Sequence, residues 1–451
     1  MAKRPGFTYA PQRLREFAQS VLDAAKRGGA SGCECDVSEG YGLSVTVRKG
    51  EPETIEHNRD KSIGVSVYAG ERPKARRGHA STSDFSNAAI AQTVEAALAI
   101  GRRTAEDDCA GLPEPELLAR EAPDLDLFHP WALETEEAIG IARRCEAAAF
   151  ALSRNIRNSE GATVSAQQSQ FVFANSLGLM AGYPSSRHSI WCAVIAEDRG
   201  FMQRDDWYSS ARVPGDLADA QALGRYAGER ALARLGARKI PTRRAPVLFE
   251  APVAAQLVGH FVGAVSGGSL YRKASFLVDS LGKPAFSPVV SIEERPFEPR
   301  GIGSSPLDEE GVAPRTRHVV RDGVVEGYFL GCYSARKLGM TSTGNAGGHH
   351  NLAVRSEGPD FRGMLRAMGT GLLVTELLGH GVNLVTGDYS RGAAGYWVEG
   401  GEIRHPVEEV TIAGNLRDMF KGIAAVGSDI VVRGARATGS ILVAEMTIAG
   451  D

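Results

Sequence analysis

The stretch Thr375-Glu376-Leu377-Leu378-Gly379-His380-Gly381 has the residue types and nearly the spacing of a metal site. A His-Glu-x-x-x-His element would offer zinc two imidazoles and set a carboxylate beside a metal-bound water. Here Glu376 fills the carboxylate position and His380 the second imidazole. Thr375 stands at the first, and its neutral hydroxyl is a poor zinc ligand. On a regular helix, side chains five residues apart point about 140° away from each other. Such a pair can reach one metal only where the helix bends or ends, and Gly379 and Gly381 allow that bend. Three readings of Glu376 and His380 stay open: polar groups satisfied within a glycine-rich loop, contacts in a substrate cleft or subunit interface, or weak metal ligands.

Other candidates are fewer. His349 and His350 follow Asn345 in the loop Gly344-Asn345-Ala346-Gly347-Gly348-His349-His350-Asn351. Adjacent side chains diverge, so the two imidazoles form no chelate alone, but either could join Glu376 and His380. Asp388, Tyr389 and Arg391 lie in a Gly-Asp-Tyr-Ser-Arg-Gly turn. Arg391 could clamp a peptide carboxylate or pair with Asp388. Asp308-Glu309-Glu310 reads as a capped, solvated turn, because neighbouring carboxylates point apart. Cys33-Glu34-Cys35 lacks the second pair a metal site needs. The chain has no serine nucleophile elbow, phosphate loop or dinucleotide fingerprint.

The elements that would position these residues predict an α+β fold. Leu14, Phe17, Val21, Leu22 and Ala25 make an amphipathic helix stopped by Gly28-Gly29. Alternation predicts strands at 41–47 and 63–68, then a second helix at 87–102. Helices packed on an antiparallel sheet follow from that order. A connector over about 107–129 precedes a helix at 135–153, strands at 163–174 and 188–196, and a helix at 216–235. The best boundary is 237–244, giving an N-terminal α+β domain, 1–236, and a strand-rich C-terminal domain, 237–451. The latter begins with a strand at 247–249 and an apolar helix over 252–265, interrupted by Gln256 and His260 and ended by Gly267-Gly268. Hairpins are predicted at Asp322-Gly323 and Gly400-Gly401. Strands at 407–412, 428–432 and 440–448, with a short helix capped by Asn415, complete a curved sheet or barrel.

Bulk composition narrows the class. The 451 residues carry a formal net charge of -3, from 51 basic and 54 acidic side chains. That balance makes no electrostatic case for nucleic acid or a membrane surface. No apolar run approaches the ~20 residues of a membrane span, and the start has no apolar core of a secretory signal. Six cysteines in so long a chain are not a disulfide framework. A cytoplasmic protein with reduced thiols is expected.

The segment GLLVTELLGHGVNLVTGDYSRGAAGYWVEGGEIRHPVEEVTIAGNL, residues 371–416, resembles the TldD/PmbA family, and its PmbA (TldE) branch more than its TldD branch. IGSSPLDEEGV at 302–312, YSARKL at 333–338 and STGNA at 342–346 agree, in the same order. The resemblance implies a TldD-like partner chain of similar fold, assembled with this one into a heterodimeric metalloprotease. It implies zinc in the partner and none here. The TldD branch draws a further ligand from a C-terminal cysteine, and this chain has none after Cys332. The implied substrates are peptides and flexible segments, with links to microcin processing, antitoxin turnover and DNA gyrase modulation. The expectation is a non-catalytic subunit. Asn345, His349, His350, Asp388, Tyr389 and Arg391 would face an extended peptide or an interface, which includes a homodimer of the isolated chain. Two alternatives stand beside it: a peptidase active alone through His380, Glu376 and His349 or His350, and a non-proteolytic regulator of gyrase.

Overall fold

Strand alternation dominates the first half. A computed structural model describes residues 6–70 and 72–450; the basic start of the chain, read above as no secretory signal, lies partly outside them. Strands β1 (Gly32–Arg48), β2 (Glu51–Ala69), β3 (Arg76–Thr82), β4 (Ile156–Asn175), β5 (Met180–Ala181), β6 (Pro184–Asp198) and β7 (Phe201–Ala211) form one antiparallel sheet. Its order is β3-β2-β1-β4-β6-β7, with β5 on β4. The predicted strands at 41–47 and 63–68 are parts of β1 and β2, joined through Lys49 and Gly50 at positive φ.

Four helices cover one face of this sheet. Helices α1 (Pro11–Arg27) and α2 (Asn87–Gly101) bury Leu14, Phe17, Val21, Ile90 and Val94 against Val37 and Val65. Helices α3 (Thr135–Phe150) and α4 (Ala220–Ala233) bury Ile139, Ala142, Leu223 and Ala227 against Val45, Val47, Val164 and Val194. Odd-numbered residues of β1 serve both clusters, as a two-residue period requires. Ser86 and Asp219 cap α2 and α4, accepting from Ala89 N and Ala222 N. The connector is not a free linker. Leu118 and Ala119 are buried, and Asp107 accepts from Tyr333 and Lys337.

The second half holds two sheets. Strand β8 (Arg243–Phe249) leads into α5 (Ala251–Ala264) and α6 (Gly267–Tyr271). Gly267-Gly268 therefore opens a short helix rather than only ending one. Strands β9 (Ile292–Arg295), β10 (Arg317–Arg321) and β11 (Val324–Val325), α7 (Cys332–Lys337), β12 (Asn351–Val354) and α8 (Phe361–Met368) follow. Then come β13 (Gly371–Leu378), β14 (Asp388–Glu399), β15 (Glu402–Asn415), α9 (Leu416–Lys421), β16 (Ile423–Val426), β17 (Val431–Arg433), β18 (Arg436–Thr438) and β19 (Ile441–Ala449). The strand expected at 428–432 shrinks to β17. One sheet runs β11-β10-β9-β12-β18-β17. The other runs β15-β14-β13-β8-β19-β16, and added pairing of β15 with β19 closes a five-stranded barrel. Val247, Phe249, Leu372 and Val374 share a core with Leu257, Val258 and Phe261 of α5, whereas Leu248 and Leu373 turn toward Met364 and Met368 of α8.

Candidate functional site

The segment 375–380 is not on a helix. Thr375 to Leu378 end strand β13, and His380 lies exposed beyond it. This corrects the helical geometry expected above: β13 is tied to β8 on one side and β14 on the other, and sheet pairing overrides local pattern. Thr375 is the extra residue of a β-bulge, since Val374 pairs with Gly395 and Glu376 with Ala394. Gly379 takes φ 73, and a Cβ on Gly381 would meet Ser390 O at 1.9 Å. Those two glycines shape a tight exit from the strand. The Glu376 carboxylate is bound by Arg234, the residue that caps the C-terminus of α4, at 2.5 Å.

Helix α5 gathers the polar side chains of this region. Gln256 and His260, one turn apart, share a face of a helix otherwise buried in apolar contacts. The His260 ring packs edge-on to Tyr389, with centroids 5.9 Å apart. Arg391 is only 9% exposed; it donates to Leu378 O at 3.2 Å and Gln256 Oε1 at 3.4 Å. It forms no ion pair with Asp388, which instead accepts from Thr386 Oγ1 and Asn415 Nδ2. Arg436 donates to Ala255 O and to His349 Nε2, both at 3.3 Å. His349 Nε2 is thus an acceptor, which leaves Nδ1 to donate to His350 O. Four buried atoms in this region lack hydrogen-bond partners: His260 Nε2, Tyr389 OH, Thr375 Oγ1 and Glu250 Oε2. Burial, then the charges of Arg391 and Arg436, push His260 down to about 4. Burial raises the Tyr389 phenol.

The other loop residues sit in a satisfied network. Glu294, 1% exposed, accepts from Asn345 Nδ2 at 2.6 Å, His350 N at 3.0 Å and Arg317 Nε at 2.9 Å. Its Oε1 also lies 3.1 Å from His350 Nδ1. Burial alone would raise this carboxyl; the His350 hydrogen bond and the Arg317 charge outweigh it and hold it at about 2. Asp308 is not the solvated turn expected. It is buried, accepts from the backbone of Glu310, Val312 and Ala346, and is pushed by burial up to about 7. It lines a cleft of about 590 Å³ between the open face of β1–β2 and the His349–His350 loop. Glu34 lines the same cleft. Burial, then the Glu310 charge, raises it to about 7.

These donors do not fit a zinc ion. His380 is exposed and Glu376 is neutralised by Arg234. His350 is engaged by Glu294, and His349 faces a guanidinium. The unpartnered imidazole, His260, lies under the positive field of Arg391 and Arg436, which repels a cation. Among the described residues, only Asp107, Asp108 and Cys109 bring three His, Cys, Asp or Glu ligand atoms within 4.8 Å of one another. Lys337 already binds both of those carboxylates. The expected alternative set of His380, Glu376 and His349 or His350 is not brought together.

Sequence reasoning passed over Gln256 and His260 as interruptions of an apolar helix. Their spacing was the available signal: two polar groups at i and i+4 in a buried helix share one face. Arg234, Arg433 and Arg436 carried no such signal.

Three family models match the sequence: PmbA/TldA metallopeptidase domain 1 over 33–101, the central domain over 128–235 and the C-terminal domain over 242–450. A metalloprotease PmbA of Escherichia coli O157:H7 is 48% identical over 438 residues, covering 97% of this chain and 96% of that protein. A PmbA homologue of Haemophilus influenzae is 44% identical over 444 residues, covering 98% and 97%. A metalloprotease TldD homologue of the same organism is 23% identical over 400 residues, covering 81% and 79%. In fold, the chain is similar to TldE from Thermococcus kodakarensis, with TM-score 0.84, 19% identity and coverage of 96% and 100%. It is also similar to a Bacteroides thetaiotaomicron protein described as a candidate modulator of DNA gyrase, with TM-score 0.92, 22% identity and coverage of 98% and 100%.

Proposed function

Because the chain belongs to the PmbA branch of the PmbA/TldD metallopeptidase family, we propose that it is the substrate-holding subunit of a heterodimeric metalloprotease. The catalytic zinc belongs to a TldD-like partner. The observation that carries this reading is the Arg234–Glu376 ion pair. A carboxylate needed to activate a metal-bound water is instead held by a guanidinium, beside a threonine where an imidazole would serve.

The substrate is an extended peptide. Strand-rich edges suit it, because an incoming strand satisfies its own backbone on an open ladder. The edge strand β17, where Val432 is exposed, is one such place. The edge of β7 is less open, since Arg234 and Arg433 occupy the Arg204 and Tyr208 carbonyls. We divide the chain at residue 237, where the first sheet has ended and β8 has not begun. We place it in the cytoplasm, where its six free, buried cysteines would stay reduced. No helix of the described residues is long and apolar enough to cross a membrane.

Metal analysis of the purified single chain tests the assignment. Substoichiometric zinc, unchanged in His380→Ala, is the expected result. One zinc per chain, lost in that variant, would favour a peptidase acting alone. Inhibition of gyrase without peptide cleavage by any pairing would favour the regulator.

A further inference from the structure

The hairpin β17–β18 places Arg433 directly opposite Arg436. Like charges in that position destabilise a ladder. Neither guanidinium forms an ion pair with a carboxylate among the described residues. Arg433 donates to Tyr208 O at 3.1 Å and lies 4.1 Å from the ring centroids of Trp207 and Tyr208. Arg436 is spent on Ala255 O and His349 Nε2. Burial lowers both below the usual arginine range. Both side chains are half-buried, and two cations opposite each other on a ladder with no ion pair of their own are an arrangement that an anion bound between them would relieve.

Both arginines line one cavity of about 340 Å³, together with Gln256 and Thr375. The acidic groups of that cavity are already taken. Asp205 is bound by Arg230 and Arg234, Asp206 by Arg204, and Glu376 by Arg234. Arg204 and Arg230 are held in these pairs and by Glu160 and Glu250, so Arg433 and Arg436 are the two guanidiniums of the cavity outside any ion pair among the described residues. Thr375 Oγ1, buried and without a partner, supplies a further donor.

We infer that this pocket binds the free α-carboxylate at the C-terminal end of an extended peptide. Planar guanidiniums match the two oxygens of a carboxylate. Trp207 and Tyr208 line the same cavity and hold the Arg433 guanidinium against their rings. The carboxylate stabilises the opposed cations, and the peptide gains an anchored end. The inference rests on the substrate-holding reading and names the part of the substrate that is held.

The test compares a labelled unstructured heptapeptide bearing a free C-terminus with the same peptide as its C-terminal amide. Binding of each to the full chain is measured by fluorescence anisotropy at low salt. The acid is expected to bind at least about tenfold more tightly than the amide, the order for a charge-assisted contact. In Arg433→Gln and Arg436→Gln the preference falls toward unity, with thermal melting used to check folding. Because the acid–amide ratio is read on the unaltered chain, a variant that fails to fold does not spoil the test. Equal affinity of the two peptides for that chain overturns the pocket and leaves the substrate-holding reading standing. A ratio retained in both folded variants overturns the pocket too. Absence of binding by either peptide overturns both.

Discussion

Glu294 is buried and His260 half-buried with its Nε2 out of solvent, both in the C-terminal half, yet they meet opposite surroundings. Around Glu294, Asn345, Arg317 and His350 complete a network in which each charge has a partner. Around His260 the polar groups outnumber their partners: the imidazole Nε2, the Tyr389 hydroxyl and the Thr375 hydroxyl are unsatisfied, and Arg433 and Arg436 stand opposite each other on the ladder outside any ion pair among the described residues. A satisfied buried network fixes a structure, whereas an unsatisfied one retains free energy that a ligand can recover. The first cluster thus reads as scaffold for the 344–351 loop. The second reads as a place where something binds.

The comparison breaks first at Glu294. Glu294→Ala leaves Arg317 without its buried partner and should cost about 3 kcal/mol or more, read as a shift in the urea midpoint. A change below about 1 kcal/mol would remove the scaffold role. The same carboxyl gives a sign in pH. Its folded pKa of about 2 lies below the ordinary 4.5, so its contribution is present above pH 4.5 and is lost as pH falls through about 2.

Glu34 gives the opposite sign. Burial and the Glu310 charge raise it from 4.5 to about 7, so its contribution is complete below pH 4.5 and is lost as pH rises through about 7. Glu34→Gln should therefore flatten the melting profile between those values and stabilise the chain at pH 8 by about 2 kcal/mol. An unaltered pH profile would contradict the burial argument.

The smallest effects are expected around α5. Tyr389→Phe and Thr375→Val remove hydroxyls that have no partner, so each should be neutral or stabilising by up to about 1 kcal/mol in denaturant unfolding. Losses of about 2 kcal/mol would mean that these groups are satisfied after all and would erase the contrast with Glu294.

Much of the scaffold was legible in sequence, for local reasons. The Leu14–Phe17–Val21 stripe gave α1, and Asp322-Gly323 and Gly400-Gly401 gave hairpin turns with positive φ. Asn415 does cap α9, accepting from Arg417 N. Closure of the barrel was not legible in detail, because it depends on β15 meeting β19 far along the chain. The site was less legible than the scaffold. Segment 375–380 was read at helical spacing, although its neighbours β8 and β14 hold it as a strand with a bulge. The partners of Glu376 and His349 are Arg234 and Arg436, whose positions only the tertiary fold determines. Of the two partners open to Arg391 in the sequence, a peptide carboxylate or Asp388, the second is not met: residues three apart on β14 point to opposite faces, and Arg391 reaches Gln256.

The most direct test of the division of labour is cleavage of an unstructured peptide by this chain alone, by its TldD-like partner alone and by the two mixed, with zinc counted on each. Efficient cleavage by the mixture, with zinc following the partner, is the predicted result. Cleavage by this chain alone, dependent on zinc and abolished by His380→Ala, would contradict it.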